Sequence, residues 1–353
     1  MEGSAIDVVV FAPLAPIFGV LLFWFIQLLF IESEKYLIEQ IRSKHGPLCR
    51  FTNFLGIFFQ SICHALGYTV TKSGISEFIL SVNYGKVAPK KERKGVFEWV
   101  ANVFLFIGPF FIPAFILLVC LLILISKGFG IISAPSLTYT FGGQIITFGT
   151  SLHYFSVNFF GFLGNIDLFH PGHFGFLLLM IFLGMGIRPS YIGEEKPERI
   201  DIFYDLKNIL NLILHKPLYL IILFFFAYLF FHLSRFLNLE LYVGLFIVFG
   251  WLSIISIVSI IISDMIMIFI RTTDEIPGSW RLIPFIILPS TYILLRILFY
   301  YVSTEYGLSI SLLGMILITS IITYLLLKSK SDRFKTERDI KSLKKKAKVE
   351  KNG

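Results

Sequence analysis

The chain has 353 residues, of which 56% are hydrophobic, 17% aromatic and 15% charged, with a formal charge of +8 and a mean hydropathy of +0.79. Soluble domains carry about 25% charged residues, so a water-soluble globular fold is excluded by the amount of apolar side chain it would have to hide. A closed membrane barrel is excluded as well, because it would show alternating segments of about 10 residues in place of long unbroken runs.

Apolar runs lie at 8–31, 51–69, 97–126, 171–187, 217–234, 240–270, 282–303 and 307–327, and a membrane helix needs about 20 such residues. Glu2 and Asp7 precede the first run, so the basic leader of a cleaved signal peptide is missing and a retained helix is expected. Residues 31–41 read as an extension of that helix or as an amphipathic segment in the membrane plane. Cys49, Cys63 and Cys120 lack CxxC spacing and carry no redox reading. After the second run, residues 77–85 are β-prone and lead into Pro89-Lys90-Lys91-Glu92-Arg93-Lys94-Gly95. This pattern predicts a strand or hairpin at the membrane surface.

The segment 141–164 combines Gly142, Gly143, Gly149, Gly161 and Gly164 with Gln144, Ser151, His153 and Asn158. It reads as a weak span or as a re-entrant, broken element, which leaves the count at eight or nine spans. Asp167, His170 and His173 recur at three-residue intervals, yet Pro171 and Gly172 interrupt any shared helical face. An interfacial loop is expected there in preference to a metal site. The longest polar interruption among the later runs is 188–216. Asp264 and Arg296 lie inside apolar runs and, with His153, are the intramembrane polar candidates. The depths of Asp264 and Arg296 differ by roughly 10 Å, and Arg296 has a second way out by snorkelling past Ser303.

Residues 328–353 hold 11 Lys or Arg against 4 Asp or Glu, a net of +7 that leaves +1 for the rest. The positive-inside bias places such a tail in the cytoplasm, where it attracts anionic lipid head groups. No internal repeat, phosphate-cradling loop, dinucleotide fingerprint or nucleophile elbow is present, and no specific nucleic-acid partner is expected.

Two segments join into one candidate site. Cys63-His64-Ala65-Leu66-Gly67-Tyr68 ends one apolar run, and Ile187-Arg188-Pro189-Ser190 with Asp201 and Asp205 behind it follows another. In this order, with the β-prone loop and Gly108-Pro109 between them, residues 50–210 resemble the core of the site-2 protease family of intramembrane zinc metalloproteases. That resemblance implies a scaffold with a β-type membrane-edge loop and a remnant metal site at His64 and Asp205. Two histidines four apart with an intervening glutamate would hold zinc and take a proton from its water. Ala65 and Tyr68 stand where the glutamate base and the second histidine would be.

The fold expected is therefore an all-α integral membrane bundle of eight or nine transmembrane helices. A helical domain over 1–327 contains the protease-like core at about 50–210, and a basic cytoplasmic tail follows at 328–353. The function expected is a non-catalytic relative of these proteases that binds membrane partners or substrates, with no cofactor. Two alternatives stand beside it: a transporter or channel component using Asp264, Arg296 and a broken helix at 141–164, or an active metalloprotease holding zinc through an unusual ligand set.

Overall fold

A backbone surrounded by apolar side chains has few hydrogen-bond partners besides itself, and in the computed structural model the long apolar runs are helices. The structure describes residues 4–82, 85–91, 94–125, 139–187, 207, 210–211, 217–302 and 306–350. The elements are α1 (Leu14–Ile41), α2 (Gly46–Val70), β1 (Ile75–Leu80), β2 (Gly85–Pro89), α3 (Val96–Leu124), α4 (Phe141–Gly164) and α5 (Pro171–Gly184). They continue with α6 (Pro217–Phe236), α7 (Leu241–Thr273), α8 (Ile283–Val302) and α9 (Gly307–Glu350). Contacts divide the chain into two units, one of residues 1–160 and 168–265, the other of residues 161–167 and 266–353.

Among the described residues five helices are long and apolar enough to cross a membrane: Leu14–Ile41, Pro217–Phe236, Leu241–Thr273, Gly278–Tyr300 and Gly307–Ser329. The bent pair Val96–Phe104 and Gly108–Leu124 makes a sixth if both halves belong to one crossing. This helical architecture fits a polytopic membrane protein, with fewer evident spans than the eight or nine expected. The difference has physical causes. Helix α2 carries Arg50, Thr52, Asn53, Gln60, Ser61 and His64, and α4 is rich in glycine and polar residues, which lowers the apolarity of both. The 14 residues of α5 rise only about 21 Å.

Segment 141–164 is one unbroken helix, as the weak-span reading expects and the broken-element reading does not. Gly142, Gly149 and Gly161 have nothing within 4 Å of an added Cβ, so they do not mark a backbone break. The side chains of Ser156 and Asn158 donate to the carbonyls of Leu152 and Tyr154 within the helix, both at 2.8 Å. Residues 31–41 extend α1 without interruption, and the backbone helix of α9 runs on into the basic stretch as far as Glu350.

In the first unit α1, α4 and α7 run parallel. Tyr242 Oη donates to the Pro13 carbonyl at 2.6 Å, and Gln27 Nε2 donates to Ser256 Oγ at 2.5 Å. Both pairs are 229 residues apart, so α1 and α7 keep one register over 14 residues of each (27 − 13 and 256 − 242). The Asp7 carboxylate accepts the Phe141 N–H at 3.3 and 3.4 Å where α4 begins. Further along, the ring of Phe148 fills the space over Gly19, Leu152 lies over Gly250, and Phe155 stacks on Trp251 at 5.0 Å. Small residues let the backbones approach where lipid supplies no hydrophobic drive between helices.

Helix α5 runs against α7, with Ser263 Oγ donating to the Ile181 carbonyl at 2.9 Å and Gly184 set on Ser259. Helices α2 and α3 form an antiparallel pair in which Cys63 packs on Gly108 and Gly67 on Ala101. Near its start α6 packs Tyr219 on Trp99 of α3. Farther along, Tyr228 Oη donates to the Val10 carbonyl at 2.6 Å, and Phe231 joins Ala12 and Tyr242 in a buried cluster.

In the turn between α6 and α7 burial raises the carboxyl pKa of Glu240. Burial and the Glu240 charge raise the hydroxyl pKa of Tyr139. A raised carboxyl pKa means that the folded state holds the proton more tightly, so its stabilisation is complete below the ordinary glutamate value and is lost as pH rises through the folded one. Between about pH 4 and pH 7 the unfolding midpoint of Glu240→Gln is therefore expected to fall less than that of the wild type. Parallel thermal unfolding curves of the two proteins in detergent check this.

In the second unit α8 and α9 form a helical pair, with Gly314 facing Leu295 and Phe269 packed edge-on to Phe285 at 5.1 Å.

Candidate functional site

Helix α2 presents Ile57, Ser61, His64 and Tyr68 at intervals of four, three and four residues, which places them on one face. A β-hairpin lies along that face. Its strands pair antiparallel with Phe78 opposite Val87 and Leu80 opposite Gly85, and the register shifts between Ile75 and Glu77. At the base, Lys90 and Lys91 donate backbone N–H groups to the carbonyls of Gly74 and Ser73, both at 3.0 Å, and Gly74 takes φ +68 to reverse the chain. The Thr71 hydroxyl, donating to the Gly67 carbonyl at 2.8 Å, ties this base to the end of α2.

The far end reaches well back along the helix. A Cβ at Gly85 would fall 2.6 Å from Ile57 Cγ2 and 2.7 Å from Ser61 Oγ, and Ser61 lies about 14 Å along α2 from Val70. The sequence predicts a hairpin at the membrane surface; the hairpin forms, but it doubles back beside the helix. Ile75, Phe78, Ile79 and Val82 are exposed, while Lys86 and Glu77 join across the strands in an ion pair of 2.6 Å. Among the described residues the sheet has two strands, so each strand has one edge without a sheet neighbour. Gly85→Val is expected to lift the hairpin from α2 and speed amide exchange in β1 and β2, while exchange in α3 is unchanged.

His64 is half-buried, with its ring 5.9 Å from that of Tyr68. Among the described residues no group of three or more His, Cys, Asp or Glu is placed to hold a metal. Asp205, the other member of the proposed remnant site, lies outside the described residues, as do Pro189, Ser190 and Asp201.

A second polar region follows the α1–α7 register. Gln27 is 0% exposed; its Nε2 donates to Ser256 and, at 3.3 Å, to the Phe110 carbonyl of α3, while its Oε1 is buried with no partner. Ser253, Ser256, Ser259 and Ser263 form a fully buried ladder on α7. Applying the same offset, 34 + 229 = 263, sets the buried Glu34 level with Ser263 and beside Asp264 in depth. Lys35 falls at the level of Asp264 and lies 3.8 Å from Glu32.

Arg296 has a partner that its sequence reading leaves open. Its Nη2 lies 3.2 Å from Asp167 Oδ2, and Tyr292 Oη donates to Asp167 Oδ1 at 3.2 Å. Asp167 is thus the counter-ion of Arg296. His170 Nδ1 accepts the His173 N–H at 3.3 Å at the start of α5. His153 is exposed on α4, so it points outward.

Sequence patterns alone do not single out Gln27 and Glu34. Their signal is a lone polar residue in an apolar run and a second one seven residues later, on the same helical face. Comparison with protein-family models, curated proteins and solved structures finds no match to this chain.

Proposed function

We propose that this chain is a multi-pass cell-membrane protein, without catalytic activity, that holds an extended segment of a membrane partner at the edge of its β-hairpin. The reading counts α2 and α4 among eight or nine crossings, places the basic end of α9 in the cytoplasm beside anionic lipid, and takes the scaffold as similar to that of site-2 proteases. One observation carries it: a hairpin with exposed apolar side chains lies along the His64 face of α2, and among the described residues no further strand pairs with it. Unpaired backbone N–H and C=O groups near hydrocarbon cost several kcal/mol each. An added strand satisfies them and gains specificity from alternate side chains.

A photo-crosslinker at Phe78 tests this in native membranes. The expected product joins Phe78 to one defined stretch of a membrane polypeptide, and the product disappears in Gly85→Val. Labelling of lipid alone would overturn the docking role. Zinc bound at His64 together with cleavage of membrane peptides would overturn the non-catalytic part.

The common depth of Glu34 and Asp264 favours a second reading, a transporter component. It requires solute flux in reconstituted vesicles that Asp264→Ala abolishes.

A further inference from the structure

We infer that the far stretch of α9 binds the phosphate backbone of a nucleic acid in the cytoplasm, through lysine charge and without regard to base sequence. Helix α9 is one α-helix from Gly307 to Glu350, and its apolar, membrane-spanning part is Gly307–Ser329. Between Gly314 and Glu350 the sequence has no glycine or proline, the residues at which helices most often kink. Residues 330–350 therefore continue the axis of the span and stand away from the bilayer as a rod.

Charge is spread unevenly along that rod. Residues 328–339 hold five Lys or Arg against three Asp or Glu, a net of +2. Residues 340–350 hold Lys341, Lys344, Lys345, Lys346 and Lys348 against Glu350, a net of +4. Lys345 lies 17 residues beyond Lys328 (345 − 328), which is about 26 Å of helix, or about 20 Å of height at a tilt of about 40°. The field of an anionic bilayer falls off within a Debye length, about 8 Å at physiological salt. Lipid head groups attract the near stretch, and the more strongly charged far stretch is beyond their reach.

A polyanion in solution is the ligand that such a rod suits. The groove of an acidic protein meets one face of a helix, whereas three lysines in succession, 344 to 346, cannot share a face. A nucleic acid asks only for cation density, because phosphates that meet lysine release their counterions. Lysine acts there as a point charge. Residues 340–350 include no arginine, whose planar fork reads base edges, and no aromatic residue on which a base would stack. The inference borrows from the function proposed above only the cytoplasmic side of α9. The hairpin and its partner play no part in it, so its failure leaves the docking role untouched.

The test uses the full-length protein in lipid nanodiscs, titrated with a fluorescent oligouridylate at several salt concentrations. The expected result is saturable binding that weakens linearly on logarithmic axes as salt rises. The joint variant Lys344→Gln, Lys345→Gln and Lys346→Gln should bind at least about tenfold more weakly and lower that slope by about 2. The joint variant Lys328→Gln, Lys330→Gln and Arg333→Gln should change both far less. No binding, an unchanged affinity in the far variant, an equal loss in the near one, or tighter binding of polyglutamate of the same length would overturn the site. So would close approach of a dye at Ala347→Cys to anionic lipid in the same discs, because the far stretch would then lie on the membrane. Labelling of Ala347→Cys by an impermeant maleimide in intact cells reports the side of the membrane separately; protection is expected, and reaction would overturn the cytoplasmic ligand.

Discussion

Gly184→Val is expected to destabilise the first unit severely, by forcing α5 away from α7. A Cβ at Gly184 would fall within 2.5 Å of Ser263 Oγ and 2.7 Å of the Ser259 carbonyl carbon, and nearer still to the carbonyl oxygen. Two of those three atoms are backbone, so no rotamer change relieves the clash. Helix α5 must move, and the Ser263 to Ile181 hydrogen bond of 2.9 Å breaks with it. Overpacking costs about 1–3 kcal/mol, and a fixed backbone wall puts this case at about 3 kcal/mol. Gly175→Val is the control on the same helix, since nothing lies within 4 Å of a Cβ there. Thermal inactivation half-lives in one detergent should shorten severalfold for the first variant and hardly change for the second; equal half-lives would contradict the packing of α5 on α7.

Arg296→Leu is expected to be nearly as damaging in the second unit. Asp167 accepts from Arg296 and from Tyr292, and its side chain is 25% exposed. Removing the guanidinium takes the charged partner from a largely buried carboxylate. Breaking a fully buried pair from one side costs about 3–5 kcal/mol, an upper bound for side chains 20% and 25% exposed, whereas removing both charges is often nearly neutral. The double variant Arg296→Leu with Asp167→Asn should therefore recover most of the loss. A thermodynamic cycle that returned no coupling between the two positions would show that the pair does not form in the bilayer.

The helices are legible in the sequence because membrane spans reveal themselves by apolar length alone, as in 241–273 and 307–329. The β-hairpin is legible too, from a β-prone run ending at Gly85. Its path is not, because glycine signals a turn and a close approach equally well, and at Gly85 the tight neighbours are Ile57 and Ser61. Segment 141–164 reads as breakable because glycine has low helix propensity in water. Among other helices the need to satisfy every backbone group outweighs that preference.

Partner choice is the least legible feature. The Arg296 counter-ion lies 129 residues away, and Gln27 meets Ser256 across 229 residues. These pairings follow from helix register and depth, which local patterns do not encode. For the candidate site, His64 and its neighbours can be read from residue order, whereas the face they share with the hairpin emerges only in three dimensions.

The claim on which the functional reading depends is that the hairpin lies beside α2 within the apolar layer. Its most direct test is Phe78→Cys carrying a nitroxide in lipid vesicles, with collision rates measured for oxygen and for a water-soluble nickel chelate. The expected result is strong oxygen and weak nickel collision, matching a nitroxide at Leu313, which is 60% exposed on α9. Strong nickel and weak oxygen collision at Phe78 would place the hairpin in water and contradict the docking role.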